Sequence, residues 1–467
     1  MKDTKTPNYG KVGTYYMVGN LFNKGIAFLT VPIFTRILST TDYGIITTYY
    51  SWIAILSMIV GFALHMGIRM AFVDYKDKID DFMSTTLTFT LESGLVLIIS
   101  VVLCIKLIRV NIPLTLVVLC LLQSISAAIA EDYSMYLMMK FRYIGRTAIM
   151  VLPNIISVII SICAILYVVN EKLYMGRIVP TAIVYIVVGV ILAVLTYRKS
   201  HVLHNAKYIK YGLAISTPLV LHGVALNILS QSDRTMITWL ADASQTGIYS
   251  LIYNFSMLAT VITTSLEGVW APWFMKKYEL KDFSIINKRS VEYVHLVTYA
   301  MVCLILIGPE VIKLLASSDY WQGIAIIPPV VIANYIIFLY SFYVNVEHYN
   351  KKTIYISLNT AIVAILNIIL NYIFIPIYGY PAAAYTTLVS YLIALILHAR
   401  YAKKLEKNLY AIKTFIPSLV HILLATLLFY MFENNPIIRI NGLLVYIMFM
   451  SFINREKILI LLYQIKR

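Results

Sequence analysis

Residues 36–46 read Arg36-Ile-Leu-Ser-Thr-Thr-Asp-Tyr-Gly44-Ile-Ile, and residues 238–249 read Thr238-Trp-Leu-Ala-Asp-Ala-Ser-Gln-Thr-Gly247-Ile-Tyr. Each is a short polar turn set between two long apolar runs. Tyr49-Tyr50-Ser51-Trp52 follows the first glycine and Tyr253-Asn254-Phe255 follows the second. Gly44 and Gly247 lie 203 residues apart, a distance that holds six apolar runs. An even number of crossings returns the chain to the same side, so both turns face the same way. That spacing predicts a parallel internal repeat, related by a pseudo-two-fold axis along the membrane normal.

The runs between the turns are membrane spans. The chain has 467 residues, 60% of them hydrophobic and 13% charged, with a mean hydropathy of +0.80. A soluble domain carries about 25% charged residues, and a chain this apolar could not cover its surface in water. A soluble enzyme, a secreted disulfide scaffold and a disordered chain are thereby excluded. A spanning helix needs about 20 mostly apolar residues. Fourteen such runs cover most of the chain: 12–37, 44–68, 83–106, 112–138, 147–169 and 178–197, then 211–239, 246–270, 290–315, 323–346, 353–377 and 380–399, and last 414–432 and 436–453. The expected fold is an all-α polytopic membrane protein of about 14 transmembrane helices. Residues 1–200 form one six-helix lobe, 201–402 the second, and 403–467 an extra helix pair and tail. Cys104, Cys120, Cys163 and Cys303 sit inside apolar runs without metal-ligand spacing, and read as small hydrophobes. The N-terminus reads as an uncleaved first helix.

The net charge of +16 would suggest nucleic acid in a soluble chain. Here 29 of the 38 basic residues fall in alternate loops (the N-terminal tail, 69–82, 139–146, 198–210, 271–289, 347–352, 400–413 and the C-terminus). The opposite loops hold seven: Arg36, Lys106, Arg109, Lys172, Arg177, Lys313 and Arg439. This asymmetry places both termini in the cytoplasm and turns the excess charge toward anionic lipid head groups; no nucleic-acid partner is expected.

Two cations, Lys24 and Arg234, remain inside spans, where an ionisable group costs about 2.5–3.5 kcal/mol and so faces a wet cavity or the bundle interior. Asn20, Asn23 and Lys24 share one helical face, as do His65 and Arg69. Asn227, Ser230, Gln231, Arg234 and Thr238 form a longer stripe, as do Ser256, Thr260, Thr263 and Glu267. Such stripes are either hydrogen-bonding glue between helices or a binding surface. The remaining embedded acids, Asp233, Glu92, Glu131 and Asp132, are candidate salt-bridge or coupling groups. No nucleotide-binding, hydrolase or metal motif occurs, so neither a cofactor nor catalysis is expected.

The 36–44 turn, together with Gln231-Ser-Asp233-Arg234-Thr-Met-Ile-Thr-Trp-Leu and the downstream Gly247-Ile-Tyr-Ser, resembles the polysaccharide repeat-unit flippases of the multidrug/oligosaccharidyl-lipid/polysaccharide exporter superfamily. The resemblance implies two six-helix lobes around a central cavity, alternating access, and a bacterial cytoplasmic membrane. It implies a cargo of oligosaccharide linked to undecaprenyl diphosphate, moved from the inner to the outer leaflet, with glycosyltransferases and a polysaccharide polymerase as partners. By position, Lys24 and Arg234 best match the family's cavity cations, with Arg69 and Arg36 weaker. The fourteen-helix count is closer to the lipid II flippase branch than to many repeat-unit flippases. A drug/cation antiporter of the same superfamily would instead rely on embedded carboxylates such as Glu131 or Glu267. A membrane-embedded enzyme acting on polyprenyl lipids is a further alternative.

Overall fold

The computed structural model describes residues 25–26, 28–108, 112–411, 415–453 and 455, and they are helical almost throughout. In chain order the helices are α1 (Phe28–Ile37), α2 (Thr40–Gly61), α3 (Leu64–Asp74), α4 (Ile79–Ile108), α5 (Leu114–Met139), α6 (Tyr143–Tyr167), α7 (Tyr174–Tyr197) and α8 (Ala206–Leu240). They continue with α9 (Ala243–Glu279), α10 (Phe283–Leu315), α11 (Ile327–Tyr349), α12 (Thr353–Tyr378), α13 (Tyr380–Leu405), α14 (Ile416–Met431) and α15 (Pro436–Ile453). Each of the fourteen expected spans corresponds to one of these, except that the second is broken into α2 and α3. Among the described residues, eleven helices are long and apolar enough to cross a membrane. Their outer faces carry Leu95, Ile99, Leu103 and Leu107 on α4 and Ile354, Leu358, Ile362, Ile365, Ile369 and Ile373 on α12, all exposed. A continuous apolar surface of this size is stable in lipid, not in water. The four cysteines are free; Cys120 is buried, whereas Cys104 and Cys163 lie exposed.

The chain divides into two compact units, Met1–Gly247 and Ile248–Arg467. In the first, α8 packs along α2 and α3, and α5 packs against α2, α3, α4 and α7. In the second, α11 packs along α13, α12 against α13, and α14 and α15 against α10.

The two glycine turns meet within the first unit. A Cβ on Gly44 would lie 1.7 Å from the Ala243 carbonyl oxygen, and one on Gly247 would lie 2.0 Å from that of Thr40. The contact is reciprocal, and the two carbonyls, of Thr40 and Ala243, lie the same 203 residues apart as the glycines themselves. Thr40 and Ser244 share a hydrogen bond of 2.6 Å beside it. Ser39 caps α2 by accepting from the Asp42 amide, and the Asp42 carboxylate accepts from the Tyr174 amide at the start of α7. Only glycine permits backbones this close.

The break between α2 and α3 falls at Phe62 and Ala63, both at φ 45°. Left-handed backbone costs an L-residue about 1–2 kcal/mol, and a break within a span frees backbone groups that lipid cannot satisfy. Two neighbouring helices supply partners. Ser93 of α4 donates to the Val60 carbonyl at 2.9 Å. Ser216 of α8 donates to the Ala63 carbonyl at 3.0 Å.

Gly44→Ala and Gly247→Ala should each lower stability by about 1–3 kcal/mol or more, since a backbone rather than a flexible side chain must move. Gly268→Ala, whose Cβ would meet nothing within 4 Å, should be neutral or slightly stabilising. Thermal unfolding of the three purified variants in detergent checks the contrast.

Candidate functional site

The polar stripe on α8 faces α2, and its spacing of three, four, seven and eleven residues keeps it on one side of the helix. Asn227 donates to the Gly223 carbonyl at 3.0 Å and approaches the Met58 sulfur at 3.6 Å. The Gln231 side-chain oxygen accepts from Ser51 at 3.3 Å and from Arg234 at 2.8 Å. Arg234 also donates to the Ser230 carbonyl at 3.2 Å. Thr48 and Thr238 share a hydrogen bond of 2.8 Å, as do Thr238 and Thr246. Thr246 and Thr48 both point their hydroxyls at the Arg234 carbonyl, at 3.3 and 3.5 Å. Trp52 and Trp239 flank the seam with ring centres 6.1 Å apart. Arg234 is only 5% exposed and Asp233 is fully buried. The seam therefore holds a cation that never reaches bulk water, lined by amide and hydroxyl groups. Such a set can bind a phosphate oxygen and sugar hydroxyls.

Lys24, Asn20 and Asn23 lie outside the described residues. Arg69, midway along α3, and Arg36, near the end of α1, are both exposed. His65 is buried, with its Nε2 3.7 Å from Glu131, whose side chain is 59% exposed. His65, Glu131 and Asp132 thus form one cluster at the α2–α3 break. Glu92 pairs with His204 at 2.8 Å on the wall of an open groove of about 840 Å³ between α4 and α8, which Lys210 and Phe89 also line.

In the second unit, Thr260 donates to the Asn334 side-chain oxygen at 3.0 Å, and Asn334 in turn donates to Ser256 at 3.1 Å. Glu267 is half-buried on the same helix as Thr260. Here the two stripes on α9 and α11 act as glue between helices.

Two buried charge pairs were not legible as pairs in the sequence. Glu347 on α11 and His398 on α13 are 0% and 3% exposed, with both carboxylate oxygens about Nδ1, at 2.9 and 3.1 Å. Tyr340 stacks on His398 at 5.5 Å. Arg439 of α15 is fully buried and pairs with Glu310, beside Pro309 of α10. It also donates to the carbonyls of Phe432 and Glu433. Rarity of charge inside a span is the only signal that flags these residues, since the partners lie 51 and 129 positions apart. Among the described residues, no group of three His, Cys, Asp or Glu side chains could hold a metal ion.

The model of the polysaccharide biosynthesis protein family matches residues 10–277, a stretch that contains both glycine turns and the whole α2–α8 seam. The chain belongs to that family. Its fold is similar to that of the lipid II flippase MurJ in an inward closed conformation, with a TM-score of 0.68 at 17% identity over 96% of this chain and 99% of that one. It is also similar to an inward-facing multidrug resistance MATE transporter of the MOP superfamily (TM-score 0.62, 12% identity, 82% of this chain and 96% of that one). A third similar structure is a MOP superfamily transporter from Pyrococcus furiosus, at a TM-score of 0.55 and 14% identity over 84% and 95% of the two chains. No curated protein sequence matches the chain. The protein is therefore a multi-pass membrane protein with the fold of these transporters.

Removing one member of a buried pair strands the other, at a cost of about 3–5 kcal/mol. Glu347→Ala should lose that much stability, while Glu347→Leu combined with His398→Leu should recover most of it. Chemical unfolding of the reconstituted variants measures both.

Proposed function

We propose that the protein is a flippase for lipid-linked oligosaccharides. It carries polyprenyl-diphosphate-linked sugar units from the inner to the outer leaflet of a bacterial cytoplasmic membrane, with both termini in the cytoplasm. The observation that carries this reading is Arg234, a buried cation on α8 that donates, among its contacts, to a neutral amide and a backbone carbonyl. A diphosphate is a stronger acceptor than either, and in a medium of low dielectric its attraction to a guanidinium is large. Lys24 supplies a second cation in the first span. The hydroxyl and amide groups of the α2–α8 seam suit sugar hydroxyls, and the lipid tail stays in the bilayer while the head group crosses. The site is exposed to each side in turn, with no bond in the cargo made or broken. Glycosyltransferases at the inner face would supply the cargo, and a polymerase at the outer face would consume it. Membership of the polysaccharide biosynthesis protein family supports this cargo class over a cationic drug.

The test is reconstitution into vesicles with a labelled polyprenyl-diphosphate oligosaccharide and an assay of its leaflet accessibility. Replacing both Lys24 and Arg234 with Gln should abolish head-group translocation while leaving expression and insertion unchanged. Full activity in the double variant overturns the assignment of the cations. Lipid II offered in the same vesicles separates the two diphosphate cargoes.

A further inference from the structure

The groove of about 840 Å³ between α4 and α8 has fixed walls. Tyr208 and Tyr211 pack one side of α8 on Tyr75, with ring centres 5.1 Å apart in each pair. Ile209, Leu213 and Ala214 of α8 line the groove. The non-helical segment 200–205 that leads into α8 is fastened along α4 at three points. Ser200 donates to the Asp81 carboxylate at 2.6 Å, and Thr85 donates to the Val202 carbonyl at 2.8 Å. His204 Nε2 lies 2.8 Å from the Glu92 carboxylate.

Glu92 marks the level of the groove in the bilayer. It lies 13 residues, about 20 Å, beyond the start of α4, a helix of 30 residues and so about 45 Å long. From Ser93 to Ile108 only Lys106 is charged. A hydrocarbon core of about 30 Å takes in that apolar run, and Glu92 stands where the head groups begin. Leu95, Ile99 and Leu103 follow it on the same face of α4, all exposed. An acyl chain descending from the groove meets these apolar side chains. The groove itself carries a charge of each sign. The Lys210 ammonium is exposed and has no partner among the described residues. The Glu92 side chain is 56% exposed, and a carboxylate accepts about four hydrogen bonds, so His204 leaves it room for a second donor. A purely anionic head group would meet the carboxylate as well as the lysine. A head group with both charges finds a partner for each.

We propose that this groove binds one phospholipid whose head group carries a primary ammonium, phosphatidylethanolamine, from the leaflet beside the basic 198–210 loop. Its phosphate sits at Lys210, its ammonium donates to Glu92, and an acyl chain runs from the groove along α4. Basic pockets between spanning helices are a common form of lipid site; here the carboxylate adds the choice of head group. Lys210 and Arg234 lie 24 residues apart on α8, about 36 Å, so the inference holds whatever cargo the protein carries.

The test is lipid binding to the purified full chain in detergent, read by native mass spectrometry and by the rise in unfolding temperature. The probes are phosphatidylethanolamine, phosphatidylcholine and phosphatidylglycerol with identical acyl chains. Phosphatidylcholine keeps the phosphate, but its quaternary ammonium has no N–H to donate. Phosphatidylethanolamine should bind about tenfold more tightly than either. Glu92→Gln should remove most of that advantage. Lys210→Gln should weaken the ethanolamine and glycerol lipids alike. Ala214→Trp, which fills the groove from an exposed position, should abolish selective binding. Equal binding of the ethanolamine and choline lipids overturns the proposal, as does a preference for phosphatidylglycerol. A preference that survives Glu92→Gln or Ala214→Trp places the lipid elsewhere and also overturns it. Should Glu92→Gln fail to fold, Ala214→Trp decides alone.

Discussion

At Gly44 and Gly247 two backbones pass with no room for a side chain, and the arrangement of the first unit depends on that contact. It brings the start of α9 against the start of α2, and so turns α8 back along α2. The seam of Ser51, Gln231, Arg234, Thr48 and Thr238 follows from this. Shifting α8 by one residue would bring Ile237 or Trp239 to the place of Thr238, and shifting α2 would bring Tyr50 or Trp52 to that of Ser51. Interhelical hydrogen bonds in membranes average only about 0.6 kcal/mol each, so the seam's value is register rather than strength. The close backbone contact supplies the precision, and the polar ladder uses it to hold a cation out of water.

The fold was largely legible in the sequence because lipid imposes simple rules on it. Spans must be long and apolar, and basic loops must alternate. The spacing of 203 residues paired the two glycine turns as repeat mates, but did not show that they touch. The stripe on α8 was legible as a stripe, and its partner on α2 could be guessed from the repeat. What was hidden depends on the third dimension. Glu347 and His398 look like residues near a cytoplasmic loop until α11 and α13 pack together. Arg439 counts among the basic residues of the loops opposite the termini, yet it is fully buried against Glu310. The break at Phe62–Ala63 has no proline or glycine at the two left-handed positions. It is tolerated because Ser93 of α4 and Ser216 of α8 offer hydroxyls to the Val60 and Ala63 carbonyls.

The two units treat charge differently. In the first, the buried Arg234 donates to an uncharged amide and a backbone carbonyl. In the second, Glu347–His398 and Glu310–Arg439 are matched pairs that fasten helices to one another, the latter tying the C-terminal pair to α10. Matched burial resists rearrangement because separating the partners exposes both to an unfavourable medium.

The same break governs how the chain fits its bilayer. Thr40–Asp74 is 35 residues long, about 52 Å if continuous, against a hydrocarbon core of about 30 Å. A single rod of that length could only match by steep tilt. Divided at Phe62–Ala63, the two pieces need not share one tilt, so each can match the bilayer by itself. Bilayer thickness, and hence lipid composition, is thereby coupled to the shape of this span.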